Sequence, residues 1–143
     1  MTATAETAPE PGGTGGAGAL VVIPARHDSS RFPAKLLASD TGRPLLQHTW
    51  ERATAADGVA RVLVAADDER IAAAARGFGA EVVMTAASHP NGTSRIAEVV
   101  RGLGDACPPV VVNVQGDEPE LDPSFVTRAA ERLARDPDVD VAT

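Results

Sequence analysis

A lone cysteine, Cys107, closes off two chemistries at once: no second thiol is there for an internal disulfide, and none for a CxxC or thiolate zinc site. It reads as a small apolar residue, buried or half-buried. No stretch approaches the roughly 18 uninterrupted apolar residues of a spanning helix, and the amino terminus lacks a basic region followed by an apolar one. Neither a membrane span nor a secretory signal is expected, and the chain reads as cytoplasmic. Positive charge is scarce. With 13 Lys and Arg against 20 Asp and Glu, the net charge of −7 excludes a general nucleic-acid or anionic-membrane surface. A bound anion must therefore be held locally, by a few placed cations. Lysine is scarcest of all: every basic residue but Lys35 is an arginine, so one compact ammonium stands among guanidinium groups.

Several motifs are missing too. The loop that follows the first apolar run, Pro24–Lys35, has neither GxxxxGK[ST] nor GxGxxG, which argues against a Walker ATPase and a dinucleotide-fold oxidoreductase. Ser29 and Ser30 have no GxSxG context for a nucleophile. His27, His48 and His89 are scattered, without HxxxH spacing or a neighbouring cysteine, so a zinc site is not expected.

What is present centres on Leu20–Lys35, LVVIPARHDSSRFPAK. A continuous apolar, branched run, Ala19–Ile23, reads as a strand buried on both faces. It breaks at Pro24 into a loop carrying Arg26, Arg31 and Lys35. Ahead of it, Met1–Gly18 is Thr, Ala, Glu, Pro and Gly without apolar periodicity, and is expected to be a disordered tail.

Beyond the loop, turn chemistry at Thr41–Pro44 precedes a helix over Leu45–Ala56, with Leu46, Trp50 and Ala53 at helical spacing. Arg61–Ala66 reads as a second strand, and Asp68 caps a helix over Glu69–Phe78 that Gly79 closes. Glu81–Met84 is a short third strand. After the polar loop Ser88–Gly92, Ile96, Val99, Val100 and Leu103 give an i, i+3, i+4, i+7 stripe. Pro109–Val114 is the fourth strand. Asp122-Pro123 caps a last helix that turns Val126, Ala129, Ala130 and Leu133 inward. Val139–Thr143 reads as the opening of a fifth strand. Strands alternating with helices of about a dozen residues imply an α/β fold with a Rossmann-like, doubly wound, mostly parallel sheet. Ending within an apparent strand, the 143 residues read as part of a longer domain.

In such a sheet the loops at the strand carboxyl ends share one rim. Four segments are expected to converge there: Pro24–Lys35, Ala66–Asp68, Ser88–Arg95 and Gln115–Pro119. Arg26, Arg31 and Lys35 either neutralise a polyphosphate, forks on its oxygens and the ammonium on the leaving phosphates, or are solvated surface cations. Asp117 and Glu118 either offer a hard-oxygen ligand to Mg²⁺, which takes one or two carboxylates plus substrate phosphates, or form a solvated turn. Asn91-Gly92-Thr93 either hydrogen-bonds a base or turns the chain and caps the next helix.

IPARHDSSRFPAKLL, HPNGTSRIAEVV and VVVNVQGDEPEL, in this order and at these separations, resemble the amino-terminal half of the 3-deoxy-manno-octulosonate (Kdo) cytidylyltransferases, the CMP-Kdo synthetases. The resemblance covers Leu20–Thr143 and implies a nucleotide-diphospho-sugar transferase type of sheet. It implies transfer of CMP from CTP to Kdo with Mg²⁺, releasing pyrophosphate, in the cytoplasm, for lipopolysaccharide synthesis. By motif position it implies that Arg26 and Lys35 hold the CTP phosphates with Ser29 assisting, and that Arg31 and Gln115 lie near the sugar. Asp117 becomes the metal ligand and, with Arg26 and Lys35, the catalytic set. Ala66 and Asp67, with Asn91, Gly92 and Arg95, line the cytosine pocket.

Two positions depart from the family's usual pattern: Ala34 stands for glycine in RxPGK, and SGTER reads NGTSR. The family's second half, which the resemblance credits with further Kdo contacts, a second metal carboxylate and a homodimer-forming segment, has no counterpart here. The 143 residues alone are therefore expected to be inactive. The alternatives are a cytidylyltransferase for another acidic sugar (8-amino-Kdo, sialic or pseudaminic acid), and an inactive nucleotide-binding fragment.

Overall fold

The computed structural model describes residues 18–26, 35–39, 42–136 and 138, and for Lys35 the backbone alone. The expected tail up to residue 17 and the expected fifth strand lie outside the described residues.

Among the described residues, four parallel strands form one sheet: β1 (Ala19–Ala25), β2 (Val59–Ala66), β3 (Glu81–Met84) and β4 (Val111–Asn113), in the order β3-β2-β1-β4. From β1 the chain steps outward to β2 and β3, then returns to place β4 on the other side of β1. The strand order therefore reverses between β1 and β4, which in open α/β sheets is where the crevice for a ligand lies.

The helices are α1 (Leu45–Thr54), α2 (Glu69–Gly77), α3 (Gly92–Leu103) and α4 (Pro123–Arg135), with short 3₁₀ turns at Lys35–Leu37 and Gly104–Ala106. The two sheet faces have separate cores. Val21, Ile23, Val64 and Ala66 pack with Leu46 and Ala53 of α1, Ile71 and Ala75 of α2, and Val126 of α4. Leu20, Val22, Leu63 and Ala65 pack with Ile96 and Val99 of α3, and half-buried Cys107 joins this second cluster. Alternate residues of β1 thus feed opposite cores, and every one of its seven residues is buried.

The helix ends follow from their sequences. Asp68 accepts from the Arg70 amide and Asp122 from the Ser124 amide, each satisfying a donor that a first turn leaves without a helical partner. At the end of α2 the Gly79 amide bonds the Arg76 carbonyl and the Ala80 amide bonds the Ala75 carbonyl, with Gly79 at φ 99°. This paired closure needs a left-handed residue, which glycine adopts without strain.

One expectation about the central strand needs correcting. β1 does not stop at Ile23 but continues through Pro24 and Ala25, paired with Ala65 and Ala66 of β2. Proline is tolerated because of the side it faces. The Leu20 amide and the Val22 carbonyl bond toward β4, and Pro24, two residues on, has the same backbone orientation. The registered pairing with β4 ends at Val22–Asn113, so no ladder bond is lost at Pro24. β4 is correspondingly shorter than its apolar run, with only Val111–Asn113 laddered. Among the described residues, no helix is long and apolar enough to cross a membrane.

Candidate functional site

At the carboxyl ends of β1 and β4 lies a cavity of about 260 Å³. Arg26, the residue after β1, lines it, as do Gln115, just beyond β4, and Asn91, Gly92 and Arg95 from the start of α3. Pro24, His89 and Pro90 complete the wall. Three of the four segments expected to converge therefore contribute side chains to one concavity. Ala66 and Asp67 of the fourth stand behind it, through the contacts of Arg95.

Arg95 is 3 % exposed, and each of its bonds joins strand ends. Its Nη1 donates to Thr85 Oγ1 at 2.7 Å and to the Ala86 carbonyl at 2.8 Å. Thr85 in turn donates both its amide and its hydroxyl to the Ala66 carbonyl. Asp67 lies 3.8 Å from Arg95 Nη2, with its own side chain 12 % exposed. Where NGTSR lacks the carboxylate of SGTER, the counter-charge for this arginine comes from Asp67, at the end of β2. A cation removed from water needs such partners, since an unpaired buried charge is strongly destabilising.

Asn91 caps α3. Its Oδ1 accepts from the Ser94 amide at 2.8 Å, and Ser94 Oγ donates back to the Asn91 carbonyl at 3.0 Å. Of the two readings of Asn91-Gly92-Thr93, the cap is realised, and Asn91 and Gly92 still line the cavity. Gly92 is closely approached: a Cβ there would stand 3.1 Å from Pro24 Cγ and 3.6 Å from Gln115 Nε2.

Two supports of this rim were not singled out from the sequence. Thr49 of α1, fully buried, donates its hydroxyl to the Gly116 carbonyl at 2.8 Å and accepts from the Glu118 amide at 3.1 Å. It thereby brackets Asp117 from both sides. The signal for it was its place: Thr49 lies three residues after Leu46 and four before Ala53, on the apolar face of α1. Glu98 is the other. It bonds the Ala86 amide and the His89 ring, and it stands one turn beyond Arg95.

Asp117 and Glu118 are exposed on the loop beyond β4, and neither lines the cavity. Among the described residues no group of three or more His, Cys, Asp or Glu side chains could hold a metal ion. A site completed by substrate oxygens does not require one, because Mg²⁺ keeps waters and takes one or two carboxylates with phosphates. The Asp117 carboxylate fits that donor set.

Lys35 begins the 3₁₀ turn of the basic loop. The next residue, Leu36, is buried against Gly116, where a Cβ would stand 3.0 Å from Leu36 Cδ1 and 3.4 Å from the Pro24 carbonyl. This contact sets the Leu36 side chain against the backbone of the acidic loop. Ser29, Arg31 and Ala34 lie outside the described residues.

A parallel sheet with its cavity at the strand-order reversal, walled by arginines and amides, is a nucleotide-binding architecture, and the chain belongs to the cytidylyltransferase family, which it matches over residues 20–143. Within that family it is similar to named enzymes. It is 54% identical over 123 residues to the 3-deoxy-manno-octulosonate cytidylyltransferase of Halorhodospira halophila, a match covering 86% of this chain and 48% of the relative. It is 51% identical over 123 residues to the enzyme of the same name from Cellvibrio japonicus, with the same coverage of 86% and 48%. A solved structure of CMP:2-keto-3-deoxy-manno-octonic acid synthetase complexed with CTP matches with a TM-score of 0.80 at 40% identity, covering 85% of this chain and 49% of that one. The chain spans about half the length of the relatives it matches.

Proposed function

We propose that the protein carries the nucleotide side of a cytidylyltransferase that moves CMP from CTP to Kdo, giving CMP-Kdo and pyrophosphate, in the cytoplasm. The observation that carries this reading is the cavity at the β1–β4 reversal, with Arg26, Gln115 and the α3 amino terminus facing one space. Kdo is preferred to other acidic sugars because the relatives at 54% and 51% identity are named for it.

In the reaction an oxygen of the sugar's anomeric hydroxyl bonds to the α-phosphorus of CTP. The bond from that phosphorus to the bridging oxygen of the β-phosphate breaks, and pyrophosphate leaves. The nucleophile belongs to the substrate, so the protein's task is positioning and charge neutralisation. Arg26, exposed at the end of β1, presents a guanidinium fork to phosphate oxygens, and Lys35 adds a point charge from the same loop, with Ser29 assisting. Gln115 and Arg31 orient the sugar. Asn91, Gly92 and Arg95, with Ala66 and Asp67 behind them, shape the pocket for cytosine. Asp117 would hold Mg²⁺, which when bound neutralises charge developing on the phosphates.

The relatives' remaining half has no counterpart in residues 1–143, so the chain alone is expected to bind CTP weakly and not to turn over. A homodimer is expected only for the full-length form. Pyrophosphate release is the test. It should require CTP, Kdo and a divalent ion together in a chain completed by the second half of a relative, and be absent from residues 1–143. A completed chain that uses UTP or ATP as well as CTP, or sialic acid as well as Kdo, would overturn the reading.

A further inference from the structure

The connection between β3 and α3 is held by the helix it leads into. Arg95 and Glu98 are three residues apart and so neighbours on one face of α3. Arg95 takes the Ala86 carbonyl at 2.8 Å, and Glu98 Oε1 takes the Ala86 amide at 3.1 Å. Both backbone polar groups of Ala86 thus end on α3. The same Glu98 oxygen meets His89 Nε2 at 2.6 Å. His89, whose side chain is 15 % exposed, lines the cavity beside Asn91 and Gln115.

The Glu98 carboxyl is held below the ordinary range, first by the His89 bond and then by the Ala86 amide, so at neutral pH it is a carboxylate that can only accept. The proton it receives from His89 is therefore the one on Nε2. In the neutral ring Nδ1 is then the acceptor, and both orientation and tautomer are set.

We propose that His89 contacts the bound nucleotide and that Glu98 is its positioning residue, acting through the imidazole and the Ala86 amide to fix the cavity wall between β3 and α3. The inference rests on the nucleotide reading of this cavity. It adds two residues to the site, neither of which the motif correspondence assigns.

The test is a CTP titration of the chain with Mg²⁺, followed by NMR because that method reads weak binding. The proteins are the wild type, His89→Ala, Glu98→Ala, the double variant and Glu98→Gln, with a melting temperature for each. Each alanine variant is expected to raise the Kd about 5- to 10-fold, and the double variant no more than about twofold beyond the weaker single, since the two act as one unit. Glu98→Gln, whose amide oxygen still accepts from both donors, is expected to recover binding to within about threefold of wild type.

Unchanged CTP affinity in both alanine variants, with lowered melting temperatures alone, would overturn the proposal, and so would effects that simply multiply in the double variant. If Glu98→Ala does not fold, Glu98→Leu, which keeps the bulk but accepts from neither donor, carries the same comparison with His89→Ala and Glu98→Gln. A folded wild type that shows no CTP binding at all would instead remove the nucleotide reading beneath it.

Discussion

The hydroxyl of Thr49 donates to the carbonyl of Gly116 across 67 residues of sequence, and at 2.8 Å this bond ties the middle of α1 to the loop that carries Asp117. The same oxygen accepts from the Glu118 amide, so one buried side chain satisfies a backbone acceptor and a backbone donor on either side of the acidic residue. Thr49→Val keeps the shape and removes the hydroxyl. Two backbone groups would lose their partner, and the expected loss of stability is about 1–3 kcal/mol. Urea unfolding of the variant beside wild type measures it, and a loss below about 0.5 kcal/mol would show that the loop re-pairs on its own.

Two glycines at the rim should respond differently to alanine. At Gly116 a Cβ would meet Leu36 Cδ1 at 3.0 Å, Leu36 Cδ2 at 3.3 Å and the Pro24 carbonyl at 3.4 Å, so the methyl separates the acidic loop from the basic one. Overpacking of this kind is expected to destabilise by about 1–3 kcal/mol. Gly92 begins α3, where alanine is the better helix former, and its nearest contact is Pro24 Cγ at 3.1 Å. Gly92→Ala should leave the melting temperature unchanged or higher while narrowing the cavity and raising the Kd for CTP by about threefold or more, roughly 0.7 kcal/mol. Calorimetry together with a CTP titration separates the two outcomes, and a Gly92→Ala protein that loses stability without losing affinity would contradict this account.

Arg95 was named from the sequence as a pocket residue, and its burial makes it a tie as well. Arg95→Met keeps much of the apolar stem but leaves Asp67 without the guanidinium and the Ala86 carbonyl without its donor. Losing the donor to the buried Thr85 hydroxyl and the Ala86 carbonyl is expected to cost about 1–3 kcal/mol. Arg95→Lys should recover only part, because an ammonium cannot reach Thr85, Ala86 and Asp67 with one planar fork. Denaturation midpoints for the two variants give the order wild type, lysine, methionine. Equal midpoints for lysine and methionine would mean that charge, not the fork, is irrelevant to the tie.

Much of this fold was legible because its signals are local. An unbroken apolar strand, Asp68 and Asp122 at helix starts, and Gly79 at a helix end each report on residues within a turn of themselves. The strand-end rule then located the cavity before any geometry was known. What escaped depends on distant partners. Pro24 looked like a strand terminator because its tolerance depends on where β4 stops pairing. Thr49 sits where a helix pattern expects an apolar residue, and its reason lies in a loop 67 residues away. The counter-charge for Arg95 is likewise distant in sequence, at Asp67 just beyond the end of β2. Arg26, Gln115 and Gly92 could be assigned to one rim from topology alone. The roles of Thr49 and Glu98 required the packed structure.

Among the described residues, the acid limb of stability should trace to three carboxylates. Glu81 is held below the ordinary glutamate value first by its hydrogen bond to Arg61 across β2 and β3, Glu98 by its bond to His89, and Asp122 by the Ser124 amide. A carboxyl lowered in the folded state binds its proton more readily when unfolded. Its contribution is therefore complete above the ordinary value, about 4.3 for Glu and 3.9 for Asp, and is lost as pH falls through the lower folded value. Melting temperature is expected to be flat near pH 6 and to fall steadily below about pH 4.3. Asp122→Asn isolates one of these groups cleanly, because asparagine caps a helix about as well as aspartate but does not titrate. Its melting temperature should fall less steeply with acid than that of wild type while matching it closely near neutrality. Parallel curves across the whole range would show that the cap's charge does not contribute to the acid limb.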